Sequence, residues 1–361
     1  MNGAHVLSRR TLGALFALAA TAGVTACSSN SSNSATPAGS PSGGASSPTG
    51  SASDASSTGS FPVTVKHAFG ETVIKEQPKR IATVAWANHE VPLALGIVPV
   101  GMSKATWGDE DGDGFLPWVK AKLDELGGET PALFDETDGI PFEEVDATKP
   151  DVILASYSGI TEEDYKTLSK IAPVIAFPKI AWGTTMDEMI QLNSQAMGMA
   201  QEGDKLIADL ASTVKDAAEK HPDLAGKKAA WAFFSADDLS KVGLYTAHDP
   251  RAKFLLDVGL ETPTVIKDQS SASETFHVEV STEKPELFDD VDFFIMYGTE
   301  DNAPLVAAMQ AHPLVSRIKA VAENRLVFLG NGSLGASANP SPLSIPATID
   351  EYLTKLAEGL K

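Results

Sequence analysis

The sequence predicts an α/β protein of two lobes, and three observations carry that prediction. In the first half of the chain, short apolar runs alternate with helical stretches, beginning with 81–85 and 88–95. The same plan returns from about residue 229 onwards. Between the halves, a long amphipathic helix is predicted at about 202–220. Strands that alternate with helices favour parallel sheets covered by helices.

The first half opens with a predicted hairpin, in which 63–65 and 72–74 flank a glycine turn. Ile81 to Ala85 is predicted to be a buried strand. Asn88 is expected to cap the short helix that follows, and Gly96 to end it. The remaining predicted elements of this half are an extended segment at 98–101, a strand at 151–155, a helix at 161–172 and a strand at 173–177.

The second half repeats the plan, so we expect a second α/β lobe there. Its predicted elements are a strand at 229–234, a helix at 249–259, strands at 291–297 and 325–328, and a last helix at 342–357.

The segment between the halves predicts two consecutive helices. Thr185 and Glu188 have the spacing of a capping box, and the helix they begin should stop near Gly198. The second helix would span roughly 28 Å, which is long enough to bridge two lobes. The alternative is an ordinary surface helix of a single domain. One apolar face is predicted from Leu206, Ile207, Leu210, Val214 and Ala217.

The N-terminus has the three parts of a secretory signal peptide, predicted at 1–26. Arg9 and Arg10 precede an uncharged apolar core that is shorter than the roughly 20 residues of a membrane-spanning helix. Cys27, the one cysteine of the chain, follows small residues, where a bacterial lipoprotein receives its lipid. We therefore expect lipidation at Cys27. The alternative is a cleaved signal with an incidental cysteine.

These features predict a lipid-anchored protein on the outer face of the cytoplasmic membrane. Residues 8–12 also resemble a twin-arginine signal, although Gly13 stands where that pattern prefers a large apolar residue. Export by the Sec route or the twin-arginine route therefore stays open. A lipidated Cys27 would leave no thiol for a disulfide or a thiolate metal site.

Residues 27–60 are predicted to be a disordered tether, because Ser, Gly, Ala, Thr and Pro dominate them. Its reach would be roughly 30 Å by the square-root rule for such chains. A body of the size of 61–361 exceeds the common single-domain range, which favours two lobes. The formal net charge is −20 and the chain has no basic run, so nucleic acid is excluded as a partner.

Fragments spread over 61–361 resemble the iron-siderophore and vitamin B12 binding proteins of ABC importers. Each fragment is weakly specific alone, but their order and spacing match the family. They are 78–81, 94–101, 141–143 leading into 149–153, 251–259, 280–283, and 312–314 continuing through 320–327.

The resemblance implies a class III periplasmic-binding-protein fold, with two Rossmann-like lobes joined by a single long backbone helix. The lobes would be 61–180 and 223–361, with the connecting helices at 181–222. It implies a monomer that captures a ferric siderophore between the lobes and delivers it to an ABC permease dimer with its ATPase. The lipid would be its one covalent group. Haem, cobalamin or a bare metal ion are alternative ligands.

The resemblance also implies two docking residues. In this family one surface glutamate of each lobe binds arginine pockets of the permease, and Glu143 and Glu283 occupy the matching positions. Glu144 is a neighbouring alternative to Glu143. Solvated glutamates at helix starts are the other interpretation.

A ferric siderophore has its iron fully coordinated, so its receptor needs aromatic walls and a few polar groups instead of metal ligands. Residues that follow the predicted strands are the candidates, with core packing as the alternative for each aromatic one. Arg251 or Lys104 could bond the chelating oxygens. The candidates are Trp86, Lys104, Trp107, Tyr157, Trp182, Tyr245, Arg251 and Phe276.

Other kinds of site fit the sequence less well. Residues 109–114 match the first half of a calcium loop, but Lys120 replaces its final glutamate, so an acidic rim loop is expected. A zinc or manganese receptor would need converging histidines, and His67, His89, His248 and His277 are not paired by spacing. The chain has none of the common hydrolase motifs, so we expect no enzyme; an extracellular lipoprotein hydrolase is the alternative.

Overall fold

The computed structural model describes residues 60–361, so Cys27, the predicted signal peptide and nearly all of the predicted tether lie outside the described residues. The strands are β1 (Val63–His67), β2 (Gly70–Ile74), β3 (Ile81–Thr83), β4 (Gly101–Ser103), β5 (Ala132–Phe134), β6 (Val152–Ala155), β7 (Val174–Ala176), β8 (Ala229–Ser235), β9 (Asp238–Tyr245), β10 (His277–Ser281), β11 (Phe293–Met296) and β12 (Leu326–Phe328). The helices are α1 (Glu90–Ala94), α2 (Pro117–Leu126), α3 (Phe142–Ala147), α4 (Glu162–Leu168), α5 (Met186–Ala196), α6 (Ala200–Ala218), α7 (Pro250–Asp257), α8 (Thr264–Ala272), α9 (Ala303–Ala311), α10 (Lys319–Ala322), α11 (Ser333–Ser337) and α12 (Ser344–Glu358).

The first half folds around a parallel sheet of five strands in the order β5-β4-β3-β6-β7. Strands β3, β6 and β7 are short apolar runs that are buried on both faces, as expected when helices cover a parallel sheet. The predicted hairpin is present as the antiparallel pair β1 and β2.

The second half has a five-stranded sheet in the order β10-β9-β8-β11-β12. Strands β8, β11 and β12 are parallel, whereas β9 runs antiparallel to both β8 and β10. The antiparallel strand β9 was not among the predicted elements. Only two residues separate β8 from β9, and so short a connection can join antiparallel strands but not parallel ones. The α/β class itself is confirmed.

Helices α5 and α6 connect the two sheets. The capping box of Thr185 and Glu188 is present at the start of α5, with both reciprocal hydrogen bonds formed. Helix α6 begins two residues before the predicted position and has 19 residues. A Cβ atom at Gly203 would lie 2.1 Å from Ser194 Oγ, so this glycine allows α6 to pack closely on α5.

The apolar core continues from one sheet to the other through these helices. Ile81 and Leu154 of the first sheet, Leu210 of α6, and Trp231 and Leu353 of the second half belong to one buried cluster. Because packed interiors resist deformation, this continuity holds the two sheets in a defined relation. Among residues 60–361, no helix is both long enough and apolar enough to cross a membrane.

Candidate functional site

A cavity of about 480 Å³, called the cleft below, is lined by residues from both halves of the chain. Trp86 follows β3, Tyr157 follows β6 and Tyr297 follows β11. The carboxyl ends of parallel strands meet at one edge of each sheet, and ligands of open α/β sheets bind there. The cleft therefore lies where the topology places a binding site.

The structure brings seven of the eight sequence-predicted ligand residues together around the cleft. Lys104 is the exception. It lines a separate small cavity next to Trp86, and its Nζ lies 3.7 Å from Asp135 Oδ2. Ligand binding by any of these residues stays a prediction. The seven are Trp86, Trp107, Tyr157, Trp182, Tyr245, Arg251 and Phe276.

Four further residues line the cleft and were not predicted: Tyr297, Gly298, Asn331 and Asn339. The sequence pattern places Tyr297 at the end of a strand, although β11 stops at Met296. Asn331 lies three residues after β12. Trp86 and Tyr157 were selected because they follow predicted strands, and the same criterion would have selected Tyr297 and Asn331. Asn339 follows a helix, and no comparable signal marks it.

The cleft walls are aromatic rings that contact each other. The rings of Trp107 and Tyr297 meet edge to face with centroids 5.0 Å apart, and this contact joins the two halves. Tyr157 and Trp182 form a similar pair at 5.5 Å. Edge-to-face pairs stabilise by about 0.5–1.5 kcal/mol beyond their buried area. These contacts hold the aromatic walls of the cleft in place.

Arg251 is the one cationic side chain that lines the cleft within the described residues. Its guanidinium forms two hydrogen bonds with the fully buried Asp249, from Nε to Oδ1 at 2.8 Å and from Nη2 to Oδ2 at 2.6 Å. It also lies 3.9 Å from the centre of the Tyr245 ring. The charge of Arg251 is thus compensated inside the protein, and its position is fixed.

Tyr297 extends the hydrogen-bond network of Asp249 and Arg251 towards the interior of the cleft. Arg251 Nη1 donates to the Tyr297 hydroxyl at 2.7 Å. Burial raises the pKa of Tyr297 to about 12, so the hydroxyl is protonated at neutral pH. Because its oxygen accepts from Arg251, its proton is available for an acceptor on a ligand.

Tyr157 is held by a buried polar residue from another element. Asn88 Nδ2 donates to Val84 O and Tyr157 O, and Asn88 Oδ1 accepts from Tyr157 N. The predicted role of Asn88 as a helix cap was wrong, because α1 begins after His89 and has no side-chain cap. Across the cleft, Asn339 Nδ2 donates to the Tyr157 hydroxyl at 2.7 Å.

The residues on either side of Trp86 have an uncommon backbone conformation. Ala85 and Ala87 on either side of it both have φ of 60°, a conformation that L residues rarely adopt. Glu136 accepts hydrogen bonds from Ala85 N through both carboxylate oxygens, at 3.1 and 2.9 Å. Burial raises the pKa of Glu136 to about 7, although the Ala85 hydrogen bond opposes the shift. We infer that Glu136 holds the turn that directs Trp86 into the cleft.

The acidic loop at the rim is folded by its own hydrogen bonds. Asp109 accepts from Gly112 N and Gly114 N, and Lys120 pairs with Asp113 at 2.8 Å. Glu110 reaches the other half of the chain, where it accepts from Ser333 N and Ser333 Oγ at 2.8 Å each. The loop thus connects the two lobes at the rim. Calcium binding remains the less favoured interpretation.

The described residues offer one group of side chains that could hold a metal ion, and it contains no histidine. Within residues 60–361, the one group of three side chains close enough to share a metal ion is Asp109, Asp111 and Asp113. The histidines singled out in the sequence, namely His67, His89, His248 and His277, belong to no such group in this part of the chain.

Glu143 and Glu283 occupy corresponding positions in the two halves. Glu143 is exposed in the first turn of α3, which leads into β6, and Glu283 is exposed just before the 3₁₀ helix that leads into β11. Strands β6 and β11 each lie beside the central strand of their sheet. Glu144 is exposed as well, so the choice between it and Glu143 stays open.

Comparison with known proteins finds relatives across the described chain. Residues 81–331 match the family model described as periplasmic binding protein. The chain is 30% identical over 246 residues to the probable siderophore-binding lipoprotein YfiY of Bacillus subtilis strain 168, covering 66% of this chain and 70% of that protein.

Two solved structures extend the comparison to three dimensions. PiaA of Streptococcus pneumoniae TIGR4 in complex with ferrichrome is 44% identical, with a TM-score of 0.78, covering 82% of this chain and 98% of that one. A periplasmic solute binding protein of Mycobacterium smegmatis is 29% identical, with a TM-score of 0.65, covering 83% of this chain and 99% of that one.

Proposed function

The chain belongs to the periplasmic binding protein family, and from that premise we propose that it is the extracytoplasmic receptor of an ABC importer for an iron(III)-siderophore. The chelate would bind in the cleft. The observation that carries the proposal is the combination of aromatic walls with one internally compensated arginine. This combination supports a role in binding a small molecule.

The shape and chemistry of the cleft suit a preformed chelate. Its volume of about 480 Å³ lies within the range of small-molecule sites, which are mostly apolar with a few polar groups. The iron of a ferric siderophore is already coordinated, so the receptor has to supply ring surfaces and donors. Tyr297 and Arg251 are the donors best placed to reach the chelating oxygens.

The charge of the cleft supports an uncharged chelate. Three hydroxamates neutralise iron(III), whereas three catecholates leave a complex with three negative charges. Arg251 is already paired with the buried Asp249, so a trianion would find no uncompensated cation among the residues lining the cleft. We therefore propose a ferric trihydroxamate. The ferrichrome complex of the 44% identical PiaA supports this choice.

The proposal is tested by titration of the protein with a panel of ligands. Three tryptophans line the cleft, so a bound iron chelate is expected to quench their fluorescence in a saturable way. The panel contains a ferric trihydroxamate, a ferric triscatecholate, haem, cobalamin and bare metal ions, with the iron-free trihydroxamate as control. We expect the tightest binding to the ferric trihydroxamate. A response to bare metal alone, or to none of the chelates, would overturn the proposal.

We also propose that the protein is anchored on the outer face of the cytoplasmic membrane through lipid on Cys27. Support comes from the sequence around Cys27 and from the relative named as a lipoprotein. Cys27→Ala should shift nearly all of the protein from the membrane fraction to the medium or periplasm, because membrane binding then lacks its lipid. Immunoblots of both fractions measure this, with Ser28→Ala as control. Retention of Cys27→Ala in the membrane would contradict the anchor.

The partner of the anchored receptor would be a permease dimer with its ATPase. We propose that Glu143 and Glu283 bind arginine residues of the two permease subunits. Strand β10 is parallel to β8, because both pair antiparallel with β9, so Glu283 lies beyond the carboxyl end of β10. The cleft residue Tyr297 likewise follows the carboxyl end of β11, which is parallel to β8 in the same sheet.

A further inference from the structure

A second cavity, called the side cavity below, adjoins the cleft in the second half of the chain. Its volume is about 400 Å³. It is lined mainly by apolar side chains from β8, β11, α9 and β12. These include Phe233, Phe234, Met296, Leu305 and Phe328. The proposed function does not use this cavity.

The side cavity and the cleft share a wall. Tyr245, Tyr297 and Gly298 line both. Gly298 has φ of +81°, and a Cβ atom there would lie 2.7 Å from both Asn302 Oδ1 and Phe328 Cδ1, which line the side cavity. A ligand whose head contacts Tyr297 is therefore adjacent to the side cavity.

The side cavity also exposes apolar surface to water. Phe233 is 65% exposed, which is the largest value among the exposed large apolar side chains of the described residues. Apolar surface beside a binding site commonly marks a place where a ligand or partner is bound. A cavity of this volume suits a flexible chain better than a flat protein surface.

Resting on the proposed function, we propose that the side cavity receives a hydrocarbon chain attached to the ferric siderophore in the cleft. The transported ligand is then an amphiphilic chelate, with its iron-binding head between the aromatic walls and its acyl chain against Phe234, Met296 and Leu305. Each methylene transferred from water to this lining increases affinity by roughly three- to fourfold, until the cavity is filled.

The test uses ferric trihydroxamates that share one head and carry linear acyl chains of increasing length. Their dissociation constants are measured by calorimetry. The measurements use the full-length protein with the Cys27→Ala substitution, which keeps it in solution. We expect affinity to rise with chain length and then level off. An affinity independent of chain length would overturn the inference. Failure of the unacylated chelate to bind would instead contradict the proposed function.

Two variants test whether the acyl chain of the ligand occupies the side cavity. Leu305→Trp fills the side cavity, and Phe233→Ser makes its exposed wall polar with little risk to folding. Both should remove the gain per methylene and leave the affinity of the unacylated chelate unchanged. Ala307→Trp, on the exposed side of the same helix, is the matched control and should keep the full gain.

Other outcomes count against the side cavity. If both variants keep the gain per methylene, the acyl chain binds elsewhere. If both bind every chelate like the unchanged protein but lower iron uptake by cells, the side cavity is a contact with the permease. Either result overturns the proposal.

Discussion

Replacing Arg251 with leucine is expected to lower the free energy of unfolding by about 3–5 kcal/mol, because it leaves the buried carboxylate of Asp249 without its partner. The same change should weaken binding of the ferric trihydroxamate about tenfold or more, since it removes the guanidinium and the group that orients the Tyr297 hydroxyl. Chemical denaturation measures the first effect, and tryptophan quenching at a temperature where the variant is folded measures the second.

A compensated variant separates stability from binding. In Asp249→Asn/Arg251→Leu neither charge is left buried alone. The introduced amide oxygen can still accept a hydrogen bond from the backbone N–H of residue 251 at the start of α7, as the Asp249 carboxylate does. Most of the stability should return. Affinity should stay about tenfold or more below that of the unchanged protein, because a hydrogen bond from a charged group contributes about 1.5–3 kcal/mol.

Arg325 provides the control for this experiment. It pairs with Glu323 through a partly exposed contact, so Arg325→Leu should cost only about 0–1 kcal/mol and leave the affinity unchanged. If Arg251→Leu were as stable and bound as tightly as Arg325→Leu, the role given to Arg251 would be wrong.

The second large effect is expected on transport. Glu143→Ala/Glu283→Ala should bind the chelate with unchanged affinity but lower iron uptake by about 30-fold or more. Loss of one member of a desolvated charge pair costs about 2–5 kcal/mol, and this variant removes one member from each of two pairs. Uptake of radiolabelled ferric chelate by cells and titration of the same variants in vitro measure the two quantities.

Neighbouring acidic residues supply the controls. Asp146 and Glu286 are exposed near Glu143 and Glu283, so Asp146→Ala/Glu286→Ala changes the net charge equally and should transport normally. Glu144→Ala decides which residue of α3 docks. Normal uptake by Glu143→Ala/Glu283→Ala would show that both glutamates are solvated surface residues, whereas weakened titration would move them into the ligand site.

The tertiary structure explains why some of the site residues were predicted incorrectly from the sequence. Lys104 and Trp107 follow the same strand, yet only Trp107 lines the cleft. Which side chain turns inward depends on the path of the loop, and that path is set by contacts such as Glu110 with Ser333, 223 residues away. Asn88 has the sequence position of a helix cap, but its partners include Tyr157 and Asn193, 69 and 105 residues away.

Sequence alone was enough to predict the α/β class, the capping box of α5 and the length of α6, because hydrophobic periodicity and capping are properties of neighbouring residues. It also indicated which aromatic residues follow strands. The folded structure was needed to show that β9 is antiparallel, that Asp249 compensates Arg251 in the cleft and that Tyr297 and Asn339 line it. These features depend on contacts between segments distant in sequence and on backbone conformations such as φ of 60° at Ala85, which local patterns do not encode.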